Sequence, residues 1–250
     1  MDVGKAAGLA LAAAVFSLAV PATAQRVEPS TDSDRAAAAD AAAVQAYVAA
    51  QQQADTPVPE SPPVETVSEA VQRVTHWIES SGDNNGLPFI EIDKLGAEVF
   101  VFDAQGQPLG KAPALLGISL GDDSVPGVGE RELRKIPVAD RTTPAGRFVA
   151  KFGLGGGRHG GVLWVDYATA VSLHPVITSS PKEHRMQRIK SPTPDDNRIT
   201  FGCINVPASF YTGIVRPIFK DKAAAVVYIL PDTKPLNEVF PAMVVQQAAL

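Results

Sequence analysis

The spacing of the apolar residues changes at Gly86, and this change constrains the fold more than any other feature of the sequence. Before Gly86, apolar residues recur at intervals of three and four, which is typical of one face of an amphipathic helix. These residues are Val67, Ala70, Val71, Val74 and Ile78. After Gly86, short apolar runs alternate with loops that are rich in glycine and proline, which indicates consecutive strands.

The runs after Gly86 predict a mainly β domain. The predicted strands are 89–94, 99–102, 109–119, 146–152, 161–167, 171–173 and 223–230. Strands follow one another without intervening long helices, so alternating βαβ units are excluded. The sequence predicts a β-sandwich with short helices, preceded by an amphipathic helix and a disordered tether.

The first residues carry a secretory signal. Lys5 precedes an apolar run from residue 6 to residue 20, and Ala22-Thr23-Ala24 supplies an Ala-x-Ala-like cleavage site. The run is shorter than the ~20 residues that a membrane span needs. We therefore expect residues 1–24 to be a signal peptide and the mature protein to be secreted, periplasmic or associated with the cell wall.

The rest of the chain divides into four segments. Residues 25–64 form a linker rich in Ala, Pro and Gln that lacks the branched and aromatic residues needed for a core. The helix and its loop occupy 65–86, the β domain 87–231, and a C-terminal extension 232–250. The formal net charge of −5 argues against a nucleic-acid partner. The tether suits a protein that stays close to the wall or the membrane, and no partner protein is identifiable.

Cys203 is the chain's single cysteine. Secreted proteins usually employ cysteines in disulfide pairs, and an internal pair is impossible here. Counting alone leaves two alternatives, a buried thiol that acts as a small apolar side chain or a reactive nucleophile. The residues around Cys203 favour the second, because Gly202 supplies the backbone space that a substrate carbonyl needs beside a nucleophile.

The segment from Thr200 to Val206 resembles the signature of the L,D-transpeptidase (YkuD-type) family. In that family Ser/Thr-His-Gly-Cys is followed by a hydrophobic residue and then Asn or Arg. The matching residues are Thr200, Gly202, Cys203, Ile204 and Asn205. Phe201 departs from the pattern, because the family usually has a second histidine there. The segment 143–148, Thr-Pro-Ala-Gly-Arg-Phe, is similar to the family's turn into a strand.

The resemblance implies a set of site residues. Cys203 is the expected nucleophile and His174 the base, with the carbonyl of Pro175 orienting the imidazole. The backbone amides of Gly202 and Cys203 are candidates for the oxyanion hole, while Asn205 and Thr200 position the loop or the substrate.

His174 and Cys203 are 29 residues apart, a longer interval than the family usually has. The excess falls in Ser179–Arg198, a polar, basic segment that we interpret as a flap over the site or as a solvated loop. This segment contains His184, which is the second candidate for the base.

The resemblance also implies the reaction. Cys203 would attack a peptidoglycan stem tetrapeptide, form a thioester and transfer the acyl group to an amine, with no cofactor and no metal. One alternative is an L,D-carboxypeptidase or endopeptidase of the same family. The other is a non-catalytic cell-wall-binding module, which the departure at Phe201 favours. The acceptor is not predicted from the sequence.

Overall fold

The computed structural model describes residues 68–155, 161–222 and 224–243. The predicted signal peptide, the linker and the end of the C-terminal extension lie outside the described residues. The strands within these ranges are β1 (Phe89–Asp93), β2 (Glu98–Phe102), β3 (Pro108–Pro113), β4 (Leu116–Gly117), β5 (Gly146–Gly153), β6 (Val162–Asp166), β7 (Val171–Pro175), β8 (Arg198–Thr200), β9 (Ile204–Val206) and β10 (Ala225–Ile229).

The helices are short, apart from the first. They are α1 (Glu69–Ser81), α2 (Arg185–Arg188), α3 (Ala208–Phe210), α4 (Arg216–Phe219) and α5 (Leu236–Val239), with a π-helical segment Tyr211–Val215 between α3 and α4. Single 3₁₀ turns lie in the connections at Val128–Glu130, Leu133–Lys135, Val138–Asp140, Pro181–Glu183 and Pro194–Asp196. The prediction of a mainly β domain with short helices is confirmed.

Eight strands form one sheet in the order β3-β2-β1-β10-β5-β6-β7-β9, and β4 pairs with β8 in a second, two-stranded sheet. Neighbours in the large sheet are antiparallel except for the pairs β1·β10 and β7·β9, which are parallel. The predicted run 109–119 is two strands, β3 and β4, rather than one. The sequence did not predict β8 and β9, because three residues are too few for their alternation to be recognised as a strand.

Helix α1 is the predicted amphipathic helix. Ser68 caps its N-terminus by accepting a hydrogen bond from the Val71 amide, and Gly82 ends it in the left-handed conformation. Its buried face contacts one side of the sheet, where Phe89, Phe100 and Tyr228 belong to the same apolar cluster. The opposite side of the sheet packs against α3, α4 and the π-helical segment. The central strands are therefore covered on both faces. Within the described ranges, no helix combines the length and the apolar character that a membrane crossing requires.

Burial on both faces encloses a carboxyl group. Glu91 of β1 is fully buried, and its Oε1 lies 2.6 Å from Thr75 Oγ1, which is also 3.0 Å from the Val71 carbonyl. One hydroxyl proton cannot serve both acceptors, so a proton on Glu91 completes this network. Burial is the main cause that raises the pKa of Glu91 from 4.5 to about 8; Thr75 opposes the rise, and Glu79 and Asp93 add to it.

Replacing Glu91 with glutamine is expected to flatten the pH dependence of stability. In the wild type the unfolded carboxyl ionises above about pH 4.5 while the folded one keeps its proton to about pH 8. The free energy of unfolding therefore falls by up to about 1.4 kcal/mol per pH unit through this window. Urea unfolding of Glu91→Gln between pH 5 and pH 8 measures the slope. The control is Glu98→Gln, because that side chain is partly exposed; equal slopes in both variants would contradict the prediction.

A second buried ionic group joins the loops that follow β1, precede β5 and follow β10. Lys94 Nζ contacts Asp122 Oδ1 at 2.8 Å and Asp232 Oδ2 at 3.4 Å, and all three side chains are almost completely buried. It also donates to the carbonyls of Gly121 and Thr143, at 2.7 and 2.9 Å. Asp232 in turn accepts two hydrogen bonds from Arg198 of β8. This ion-pair cluster joins segments that are far apart in the sequence.

Candidate active site

The candidate site is formed by two neighbouring parallel strands, β7 and β9. Leu173 pairs with Ile204 and His174 pairs with Asn205. Leu173 and Ile204 belong to the core, so the alternation of a strand places His174 and Asn205 on the opposite face. Ser172 lies two residues before His174 and Cys203 two residues before Asn205, which brings all four side chains to one face.

The Cys203 thiol lies at the start of this face and is partly exposed. Its Sγ is 3.7 Å from Ser172 Oγ and 3.7 Å from the carbonyl oxygen of Ala170. Ser172 is buried. The thiol is therefore reachable from solvent on one side and has a polar hydroxyl on the other.

His174 is held by hydrogen bonds at both ring nitrogens. Nδ1 lies 2.8 Å from the carbonyl oxygen of Pro175 and Nε2 lies 3.1 Å from Asn205 Nδ2. A carbonyl oxygen only accepts, so Nδ1 carries the proton and donates it. Nε2 is then the unprotonated nitrogen and accepts from the Asn205 amide. The ring is in the tautomer that a general base needs, with its lone pair directed at Asn205.

The surroundings of His174 favour the neutral imidazole. Burial lowers the pKa of His174, the Pro175 carbonyl works in the opposite direction, and the positive charge of Arg185 lowers it further. An imidazole that stays neutral below the ordinary histidine range can accept a proton from a thiol over a wider span of pH.

The flap, defined as Ser179–Arg198, reaches this face through Arg185 of α2. Arg185 Nη1 donates to Asn205 Oδ1 at 2.8 Å, so the Asn205 amide nitrogen must point toward His174. Arg185 also forms an ion pair with Glu183. The flap is anchored to the domain by Ile189, which is buried against Leu115 and Val176.

The turn before Cys203 is closed by Thr200. Thr200 Oγ1 donates to the Cys203 carbonyl at 2.7 Å and accepts from the Gly202 amide at 3.2 Å. Gly202 has φ +124°, a conformation that favours glycine. A Cβ at this position would lie 2.8 Å from the carbonyl oxygen of Thr142, so a side chain is also excluded by space.

Thr143 supports the same turn from below. Its Oγ1 donates to the Gly202 carbonyl at 2.8 Å and accepts from the Gly117 amide at 2.9 Å. The carbonyl of Thr143 accepts from Lys94, which links the turn to the ion-pair cluster. Thr143, the first residue of the segment 143–148, therefore holds the loop that carries Cys203.

The two predicted oxyanion donors differ in whether their N–H group already donates a hydrogen bond. The Gly202 amide already donates to Thr200. The Cys203 amide has no hydrogen-bond partner among the described residues. A developing oxyanion next to Sγ would therefore meet the Cys203 N–H as the available backbone donor.

Three further residues contact the predicted ones, and of these only Arg185 is assigned a role from the sequence, as one of the basic residues of the flap. Ser172, Thr143 and Arg185 touch Cys203, Gly202 and Asn205 respectively. Ser172 had a signal in the sequence, since it is a polar residue between apolar Val171 and Leu173 and shares the strand face of His174.

The structure gives His184, the second candidate for the base, no hydrogen bond to the thiol among the described residues. His184 lies in the flap with φ 49°, where its backbone begins α2. In the same part of the chain that the structure describes, no three His, Cys, Asp or Glu side chains are grouped as metal ligands.

Comparisons with known proteins found similarity in structure. No family model and no curated protein matches the sequence. The chain is similar to the catalytic domain of the E. faecium L,D-transpeptidase, with 14% identity and a TM-score of 0.35, over 57% of this chain and 96% of that one. It is also similar to the helical cell shape determining protein Pgp2 from Campylobacter jejuni, with 12% identity and a TM-score of 0.39, over 73% of this chain and 64% of that one.

Proposed function

We propose that this protein is an L,D-transpeptidase, a cysteine acyltransferase that acts on peptidoglycan stem tetrapeptides. The observation that carries the proposal is the shared strand face, on which a partly exposed thiol and a buried imidazole in the Nδ1–H tautomer come from adjacent parallel strands. The sequence resemblance around Cys203 supplies the substrate class. The signal peptide predicted from the sequence supports a location outside the cytoplasm, in the periplasm or at the wall.

The first half of the reaction forms a thioester. Sγ of Cys203 attacks the carbonyl carbon at the L-centre of the third stem residue, and the amide bond to the terminal D-amino acid breaks. The thiol proton passes to Nε2 of His174 and then to the leaving amine. Charge that develops on the carbonyl oxygen is stabilised by the Cys203 amide.

The second half reverses these transfers. An amine of a second stem attacks the thioester carbon, gives its proton to His174 and forms the new amide bond, while the thiol of Cys203 is released. His174 must exchange its bond to Asn205 for one to the thiol during the first half. Catalytic hydrogen bonds often tighten only when substrate is bound.

The decisive experiment is acylation of Cys203. A carbapenem is expected to form a stable adduct with the purified protein, because the resemblance implies that this class mimics the donor stem. Intact-protein mass spectrometry should show one adduct in the wild type and none in Cys203→Ser. An adduct that survives in Cys203→Ser, or an unmodified wild type, would contradict the proposal.

Product analysis separates the alternative activities. Incubation with disaccharide tetrapeptide should give cross-linked dimers if an amine is the acceptor, and free tripeptide stems if water is. Phe201 in place of histidine favours the non-catalytic module, for which the thiol should alkylate slowly with iodoacetamide at neutral pH.

A further inference from the structure

An arginine occupies the space beside the position at which the family usually has its second histidine. The guanidinium carbon of Arg141 lies 4.1 Å from the centroid of the Phe201 ring. Arg141 Nε donates to the carbonyl of Ile136 at 3.0 Å, which fixes the orientation of the planar group. Stacking of a guanidinium on an aromatic face is favourable and leaves its edge available for hydrogen bonds.

The backbone of Arg141 is fixed next to the turn that precedes the nucleophile. The Arg141 carbonyl accepts from the Ser119 amide at 3.2 Å. The next two residues contact Gly202: the Thr142 carbonyl faces its α-carbon, and Thr143 binds its carbonyl. The segment 141–143 therefore runs along the turn 201–203, and the stacked pair lies in the turn that carries Cys203.

The Arg141 charge is uncompensated within the described part of the chain. Its two terminal nitrogens have no hydrogen bond or ion pair there, whereas arginines nearby are engaged. Arg185 binds Glu183 and Asn205, Arg198 binds Asp232, and Arg131 binds Asp140. A fixed guanidinium with two free nitrogens matches a carboxylate, which it can bind through two parallel hydrogen bonds.

We propose that Arg141, stacked on Phe201, binds the α-carboxylate of the terminal D-amino acid of the donor stem. This inference rests on the proposed function and refines it, because it makes Arg141 a specificity-determining residue. A donor whose last residue has a free carboxylate would be accepted. One in which that carboxylate is blocked would be rejected. The leaving group of the first half-reaction is thus a C-terminal residue, which disfavours the endopeptidase alternative.

The test compares two peptides that differ at one group, a stem tetrapeptide with a free C-terminal carboxylate and the same peptide with a C-terminal amide. Calorimetric titration of the full chain carrying Cys203→Ala measures binding without turnover. The free acid is expected to bind about 10- to 100-fold more tightly than the amide. Adding Arg141→Gln should abolish this difference and leave affinity for the amide unchanged.

Arg131→Gln is the matched control, because it removes a neighbouring arginine of the same loop that is paired with Asp140. It should keep the preference for the acid, and unchanged melting temperatures would show that both variants fold. Equal affinity for acid and amide, a preference that persists in Arg141→Gln, or binding of neither peptide would overturn the proposal. A preference that depends on Arg141 in a protein whose wild type forms no thioester would support the Arg141 site and refute the transpeptidase.

Discussion

Replacing His174 with alanine is expected to slow thioester formation at Cys203 by about 10²–10⁴-fold. The imidazole shares a strand face with the thiol, and the Pro175 carbonyl keeps its proton on Nδ1, so Nε2 is the nitrogen that can remove the thiol proton. Single-turnover acylation followed by mass spectrometry measures the rate. Alkylation of the thiol by iodoacetamide at neutral pH should also be slower in the variant than in the wild type.

His184 provides the control for this experiment. Asparagine is the appropriate replacement, because it tolerates the left-handed backbone that His184 adopts at φ 49°. His184→Asn should retain most of the acylation rate, since its side chain is in the flap. Loss of the rate in His184→Asn together with its persistence in His174→Ala would transfer the role of base to the flap.

The pH profile of the wild type gives an independent test of the same assignment. Because burial lowers the pKa of His174, the acid limb of the acylation rate should lie below the ordinary histidine value of about 6.5. Arg185→Gln removes a positive charge that contributes to the shift, so its acid limb should move toward higher pH. An unchanged profile would show that another group limits the rate.

Replacing Lys94 with methionine is expected to lower the free energy of unfolding by about 3–5 kcal/mol. Methionine has a similar length and no charge, so the variant leaves Asp122 and Asp232 buried without their shared cation. Urea denaturation measures the loss. Lys111→Met is the control, because Lys111 pairs with Glu98 near the surface and should cost less than about 1 kcal/mol. Similar losses in both variants would contradict the prediction.

The same cluster should make the protein sensitive to acid. Burial alone would raise the pKa of Asp122. Hydrogen bonds from Lys94, Thr233 and the amides of Asp232 and Lys234 outweigh it and hold the pKa well below the usual range. A carboxyl with a lowered folded pKa stabilises the fold above its unfolded pKa of about 3.9 and loses that contribution as the pH falls below it.

Much of the fold could be predicted because the spacing of apolar residues along the sequence indicates which face of a helix or strand is buried. The helical spacing predicted α1, and the apolar runs predicted six of the seven strand regions as continuous elements. Burial of the charged residues Glu91 and Lys94 was not predictable in this way, because it depends on distant segments that cover both faces of a central strand.

The site was predictable only in part, for a related reason. Cys203 and His174 carry local sequence signals, but their relation depends on the register between β7 and β9. The three residues of β9 are too few to indicate a strand, and the 29-residue interval says nothing about which side chains share a face. Arg141 comes from an irregular segment and Arg185 from a four-residue helix, so the spacing of apolar residues indicates neither position.

The position of β10 in the middle of the large sheet determines when the domain can fold. Strands β1, β2 and β3 end at residue 113, yet β1 pairs with β10, which begins at Ala225 and also pairs with β5. Until those late residues are synthesised, the chain has two separate groups of strands, each with an open edge where β10 belongs. Such long-range pairing is slow to form. A chain that cannot complete its sheet before β10 is synthesised stays unfolded for longer. An unfolded chain can pass through a translocation channel, which suits the export that we propose for this protein.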